Sequence, residues 1–352
     1  MDPIGYEELE LAARNHGLPL EALRYPVTPI GLHYLLTHFD ITAVEPDSWR
    51  LSIGGLVHRP LELSLAELRA RPAVELIATM ECAGNGRALL ERRPLSQPWL
   101  HGAVGTARWR GVPLRPLLED AGLGNDAVEV VFSALDRGFE DGEAQAFARS
   151  LTVEEALEDS AILAYEIDGL PLPPQHGFPL RLVVPGWYGM TNVKWLSAIE
   201  VVGVPFTGHQ QLGAYRIWTD DGDPAGVALT RMLPRALMAP PGVPDFPTRQ
   251  RTLAPGRCTI EGRAWSGWGS IEGVSVSTDG GRTWADATIE RDVDSRWAWS
   301  RWTYEWDAAT GVHELRCRAR DGAGNVQPDE VSWNRGGYAN NAVQRVPVTV
   351  AG

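Results

Sequence analysis

The stretch VELIATMECAGNGR runs as an apolar segment up to Glu81 and Cys82, then turns through Gly84 and Gly86. Glycines there let the backbone bend tightly and approach a ligand, which leaves Cys82 at the end of a strand, within reach of chemistry. Two uses suit a thiolate so placed: a nucleophile served by a histidine base, or a soft ligand to a metal cofactor. A buried, inert thiol is the structural alternative. The eight histidines, His16, His33, His38, His58, His101, His176, His209 and His313, show no HExxH or other compact zinc spacing, which disfavours a zinc hydrolase. A second dense stretch, HGFPLRLVVPGWYGMTNVKW, interleaves His176, Arg181 and Lys194 with apolar residues, Pro185 and glycines. Arg offers a planar fork and Lys a point charge, so these side chains suit a phosphate or a large polar cofactor, or else they solvate an edge strand. Neither GxGxxG after a strand nor GxxxxGK[ST] is present, so a dinucleotide or a P-loop nucleotide is not the natural ligand.

These residues need a scaffold. Prolines at 19, 26, 29 and 46 break the first 50 residues into loops and short helices. WRLSIGGLVHRPLEL reads as short strands joined by a turn, and LSLAELRA has helical apolar spacing. VEVVFSAL and FPLRLVVPG are buried-strand candidates separated by ARSLTVEEALEDS, which opens on a Ser or Thr cap with acidic residues in its first turn. The first part is therefore α+β. Around 216–256 the pattern dissolves into Pro, Gly and Asp, and from Cys258 short alternating strands with Asp-Gly and Gly-Gly turns predict a β-sandwich. The expected domains are residues 1–240 and 241–352. Cys258 and Cys317 fall in the sandwich, either facing each other or, as expected of a reducing compartment, as two buried free thiols.

The chain has 352 residues, enough for two domains and a sizeable core. Lys+Arg 32 against Asp+Glu 45 gives a formal net charge of -13, which argues against a phosphate-backbone binder, so no nucleic-acid partner is expected. Three cysteines exclude a disulfide-stapled scaffold and a four-thiolate metal site. No apolar run approaches bilayer length and the N-terminus lacks an export signal, so a soluble protein without membrane insertion is expected. The cytoplasm is the default location, with the periplasm open if a leader has been removed.

CAGNGR at 82–87, HGFPLRLVVPGWYG at 176–189 with VKW at 193–195, and AWSGWGSIEGVSVSTDGGRTW in the second domain together resemble the sulfite oxidase family, which includes eukaryotic sulfite oxidase and plant nitrate reductase. The resemblance spans nearly the whole chain. It implies a molybdopterin domain followed by an immunoglobulin-like dimerisation domain, hence a homodimer, and a molybdenum-molybdopterin cofactor. By this resemblance Cys82 ligates molybdenum. His38, Asp136, His176, Arg181, Asn192, Val193 and Lys194 contact the pterin and its phosphate. Tyr215, in GHQQLGAYRIW, takes the place of the active-site tyrosine, with His209 at a recurring histidine and Arg87 as a candidate for orienting the site or supporting its loop.

Two departures bear on substrate choice. Leu36 stands where the family has a substrate-binding arginine two residues before the His38 position, and Ser270, after a bulky Trp268, stands where a GGGR-like turn supplies another. Charge-assisted hydrogen bonds are stronger than neutral ones, so a dianion loses grip without them. Arg216, Arg181, His209 and Arg87 are the candidates for replacement charge. The expected activity is oxygen-atom transfer to sulfite, with electrons passed to an external acceptor such as a c-type cytochrome, because no Cys-x-x-Cys-His and no stretch for a haem module are present. Reduction of a sulfoxide or another small oxo compound is the alternative chemistry. A catalytically inactive dimeric binding protein, its tryptophans forming an interface, is the alternative of another class.

Overall fold

The computed structural model describes residues 3–140, 142–219 and 225–352. The first domain is built on two sheets. One runs in the order 61–64, 50–55, 196–202, 129–140 and 143–152. Its 50–55 and 196–202 strands are parallel, Ser52 opposite Ala198, and the other neighbours are antiparallel. The other sheet joins Val74–Glu81 to Val104–Pro113 and Ile162–Ile167, with Arg181–Val183 paired to the last. The architecture is the expected α+β, with helices short and peripheral.

Local chemistry explains the helix ends. Ser64 Oγ accepts from the Glu67 N–H at 3.2 Å while Glu67 accepts from the Ser64 N–H at 2.8 Å, and Thr152 with Glu155 repeats the arrangement. Each reciprocal pair satisfies two amides that the first helical turn leaves without partners. The helix Leu114–Ala121 buries Leu114, Leu117, Leu118 and Ala121, a single apolar stripe, and stops at Gly122 with φ 71°.

The second domain is a sandwich of a four-stranded and a six-stranded sheet. Its strand Gln344–Val350 alternates buried and exposed residues at every step, as a sheet with one solvated face requires. The sandwich takes up the chain earlier than the expected boundary at 240/241. Arg235–Ala239 pairs with Gly256–Trp265, because RALMA, flanked by Pro234 and Pro240, is a short, nearly all-apolar strand inside the Pro-rich stretch. Cys258 and Cys317 are free thiols on strands of opposite sheets, and Cys317 is fully buried. Trp302 and Trp306 fill the sandwich core, whereas Trp265 and Trp299 join the core of the first domain and cement the two together. Among the described residues no helix is long and apolar enough to cross a membrane.

The two domains grip each other along Val74–Glu81. Thr79 donates its N–H to the Trp297 carbonyl at 2.9 Å, and its hydroxyl accepts from the Trp299 N–H at 2.8 Å. The strand that delivers Cys82 is thus held on one side by its own sheet and on the other by the sandwich.

Candidate active site

Cys82 leaves the strand with its N–H bonded to the Ala103 carbonyl and its own carbonyl accepting from Asn85, which fixes the start of the turn. The turn closes at Gly86, φ 90°, where a Cβ would come within 2.9 Å of the Asn340 carbonyl, so only glycine fits. Behind the cysteine, the buried carboxylate of Glu81 accepts from Arg235 at 2.6 Å, from Asn85 Nδ2 at 2.9 Å and from Trp265 Nε1 at 2.9 Å. Three further contacts come from the sandwich: Ala339 N–H to Ala83 carbonyl at 2.8 Å, Asn340 Nδ2 to Gly86 carbonyl at 2.8 Å, and Arg87 Nε to Gly336 carbonyl at 3.1 Å.

The thiol opens into a cavity. Of the sequence-predicted residues, His38, Asp136, His176, Arg181, Asn192, Lys194 and Tyr215 line it with Cys82. They arrive from separate stretches: His38 from the early loop, Asp136 from the long strand Glu129–Glu140, His176 from a short 3-10 turn, Arg181 from an edge strand, Asn192 and Lys194 from the loop that follows, and Tyr215 from the bend after the helix His209–Leu212.

Its cations are held by carbonyls. Arg181, 4% exposed, donates to the carbonyls of His176 at 3.2 Å and Asn192 at 3.1 Å and lies 4.7 Å from the Trp109 ring centre. Its Nε is buried with no hydrogen-bond partner among the described residues. Lys194 Nζ donates to the carbonyls of Leu36 at 2.8 Å and Gln175 at 3.0 Å. Burial, then the nearby Arg181 charge, pushes the Lys194 ammonium down to about 7 against a partial pull from Asp136, and burial lowers Arg181 to about 10. His176 is driven to about 2 by burial first and then by His33, Arg181 and Lys194, so its ring is neutral. Burial raises Asp136 despite the charges of Lys194 and His38, and it raises the Cys82 thiol despite Arg87 and the Gly84 N–H. Tyr215 is held well above the ordinary phenol range, chiefly by burial, and is therefore protonated at neutral pH.

Three predicted residues do not line the cavity. Val193 is in the core, its N–H bonded to the Thr191 carbonyl and its carbonyl to the Leu182 N–H, so its backbone is engaged elsewhere. Arg87 is turned to the loop: it bonds Ser96, Gln97 and Gly336 and stacks 5.0 Å from the Tyr338 ring centre. His209 sits outside, 3.5 Å from a Glu140 oxygen that also accepts from His38 at 3.0 Å. Two other expectations also change. Ser270 lies in a different cleft, with Trp265, Ser266 and Arg296, because Ser266 Oγ bonds Asp321 at 2.7 Å and the Gly322 N–H bonds the Ser270 carbonyl, folding the turn back on the sandwich. Arg216 spends its guanidinium on the Ala225 and Gly226 carbonyls. Leu36 does line the cavity.

Sequence reasoning missed His33, Tyr34, Met80, Phe147, Met190 and Trp195, which also line the cavity, and Glu81, which anchors the loop. The adjacency of Glu81 to Cys82 was the available signal; nothing local marks the others.

The donor set fits a large, anionic, hydrogen-bonding group. Arg181 Nε, His33 Nε2 and Trp195 Nε1 are buried donors or donor-capable atoms without partners among the described residues, on residues of one cavity wall. Such atoms are costly unless something bonds them. Cys82 offers one soft thiolate, which suits a metal that brings most of its own ligands.

Comparisons with known proteins agree. The oxidoreductase molybdopterin binding domain model matches residues 38–210, and the Mo-co oxidoreductase dimerisation domain model matches residues 246–351. Sulfite oxidase of Gallus gallus is 38% identical over 337 residues, covering 91% of this chain and 72% of its own length. Mitochondrial sulfite oxidase of Homo sapiens is 34% identical over 377 residues, covering 99% and 67%. The crystal structure of the sulfane dehydrogenase SoxCD from Paracoccus pantotrophus superposes with TM-score 0.83 at 29% identity, over 95% of this chain and 86% of that one. The chain is a molybdenum-cofactor-dependent oxidoreductase and belongs to the sulfite oxidase family.

Proposed function

We propose that the protein oxidises sulfite: sulfite and water become sulfate, and two protons and two electrons leave, the electrons to an external acceptor such as a c-type cytochrome. The observation that carries this reading is the cavity itself, which unites the Cys82 thiol with Arg181, Lys194 and the Tyr215 phenol. Cys82 would ligate the metal. Arg181 and Lys194, bonded only to carbonyls and a thioether among the described residues, would meet the cofactor phosphate, and His38, Asp136, His176 and Asn192 would bond its polar rim. When bound, the cofactor supplies two-electron oxygen-atom transfer.

The chain's own residues set the conditions. The buried, protonated Tyr215 donates a hydrogen bond to an anionic oxygen and can pass on its proton. The neutral His176 adds a polar contact without further positive charge. Apolar walls, Phe147 and Met190, exclude bulk water and strengthen each electrostatic contact. The dimerisation-model match supports a homodimer through the second domain. The test is steady-state turnover of the molybdenum-loaded full chain with ferricyanide or cytochrome c; absence of sulfite-dependent reduction would sink the substrate assignment.

A further inference from the structure

Arg149 is a buried cation of the first domain that stands behind the lining of the Cys82 cavity. It is 3% exposed, and among the described residues no carboxylate lies within ion-pair distance of it. The charged groups that face it are Glu129, whose carboxylate is already bonded to the Phe206 N–H, and the like-charged Arg216. Its Nη1 donates to the Gln210 carbonyl. Its Nε is buried with no partner, and its Nη2 makes no hydrogen bond among the described residues. The idle Nε and Nη2 edge is the one that grips an oxyanion with two parallel bonds. A buried charge without a counter-charge costs several kcal/mol, so a guanidinium kept in this state implies an anion that arrives from outside.

Its position says where that anion sits. Arg149 lies on the strand Glu143–Thr152 two residues beyond Phe147, hence on the same face, and Phe147 lines the Cys82 cavity. The guanidinium carbon is 5.8 Å from the ring centre of Tyr215, which lines the cavity too. Tyr338 packs against the Tyr215 ring at 5.3 Å between centres, and Arg87 stacks on Tyr338 at 5.0 Å. Tyr215 is itself held at φ 54°, an unfavourable conformation for a residue with a Cβ.

We infer that Arg149 is the specificity-determining cation of this enzyme: its free edge and the Tyr215 hydroxyl together receive the negative oxygens of the oxyanion substrate. The inference rests on the proposed oxyanion chemistry. It also explains how a cavity bearing Leu36 recovers positive charge that neither Ser270 nor Arg216 can bring to it within one chain.

The test uses molybdenum-loaded full-length protein and the variants R149M and R149K. R149M is expected to raise KM for sulfite by about 10- to 100-fold, the effect of losing charged hydrogen bonds, while kcat changes by less than about 3-fold. R149K, with a point charge but no fork, is expected to recover part of that loss. Sulfate binding to the same samples, followed by calorimetry, is expected to weaken in parallel, with molybdenum content unchanged. Unaltered KM and unaltered sulfate affinity in R149M would overturn the inference, as would a fall in kcat with both affinities intact, which marks Arg149 as a support for Tyr215 only. Wild-type protein that binds sulfate through Arg149 but does not oxidise sulfite would refute the substrate assignment and uphold the anion site.

Discussion

Glu81→Ala isolates what the sandwich does for the Cys82 loop. Glu81 and Arg235 are each 2% exposed and meet at 2.6 Å; Trp265 Nε1 and Asn85 Nδ2 bond the same carboxylate. Removing the carboxylate leaves a buried guanidinium uncompensated and two more donors unpaired, so the loss expected is about 3–5 kcal/mol. With an unfolding entropy of about 2.1 cal/mol/K per residue, that corresponds to a fall in Tm of about 4–7 °C for a chain of this size. The charge-free pair E81L/R235M is expected to regain much of the loss, since burying neither charge removes the penalty. Denaturant unfolding of the three proteins measures this, and metal analysis of the same samples is expected to show reduced molybdenum in E81A, because the turn next to Cys82 loses its tie to the second domain. A loss below about 1 kcal/mol in E81A, or a double variant weaker than the single one, would refute the reasoning.

Cys82→Ser replaces a soft thiolate by a hard hydroxyl; folded protein with less than stoichiometric molybdenum and no turnover is expected from metal analysis and assay. Tyr215→Phe keeps the ring in its stack and removes the hydroxyl, and a fall in kcat of about 10²–10⁴ is expected if that group moves the proton. Leu36→Arg puts a guanidinium on the cavity wall and is expected to lower KM for sulfite, checked against wild type in the same assay. Lys194 gives a pH signature in cofactor-free protein. Its folded-state value of about 7 lies below the ordinary 10.5, so between these limits the unfolded chain holds a proton that the folded chain lacks, and stability rises with pH across that window. Lys194→Met is expected to flatten the rise in denaturant unfolding measured across the same range.

Much of this was legible where chemistry and local pattern coincide. An apolar strand running into AGNGR could put Cys82 only at a strand end, and the turn glycines around it required a tight loop. The stretch from His176 to Lys194 is compact in sequence, so its side chains had little freedom to part company, and three of its charged or basic members share one cavity. Arg149 and Glu140 were invisible because their significance lies in partners contributed by helix His209–Leu212 and by the loop before the strand Arg50–Gly55. Arg87, where the sequence left site orientation and loop support both open, and Ser270 show the opposite limit. Each occupies a motif position, but a motif does not say which way a side chain turns: Tyr338 and Gly336 draw Arg87 toward the sandwich, and Asp321 draws the Ser270 turn away from the cavity.

The charge balance connects these observations. A chain of net charge -13 repels an anionic substrate at long range, yet its cavity gathers Arg181 and Lys194, hydrogen-bonded among the described residues to carbonyls and a thioether and offset only in part by Asp136, and Arg149 stands beside it with an idle edge. Carbonyl oxygens supply dipoles, not counter-charge, and Asp136 offsets Lys194 only in part, so burial and mutual repulsion lower Lys194, and burial lowers Arg181. An anionic cofactor therefore does more than bring the metal. Held by Arg181 and Lys194 as proposed, it would neutralise those cations, and a group that binds the folded chain alone adds its binding energy to the stability of the fold. Arg149 is then left as the cation reserved for the second anion, the one that turns over.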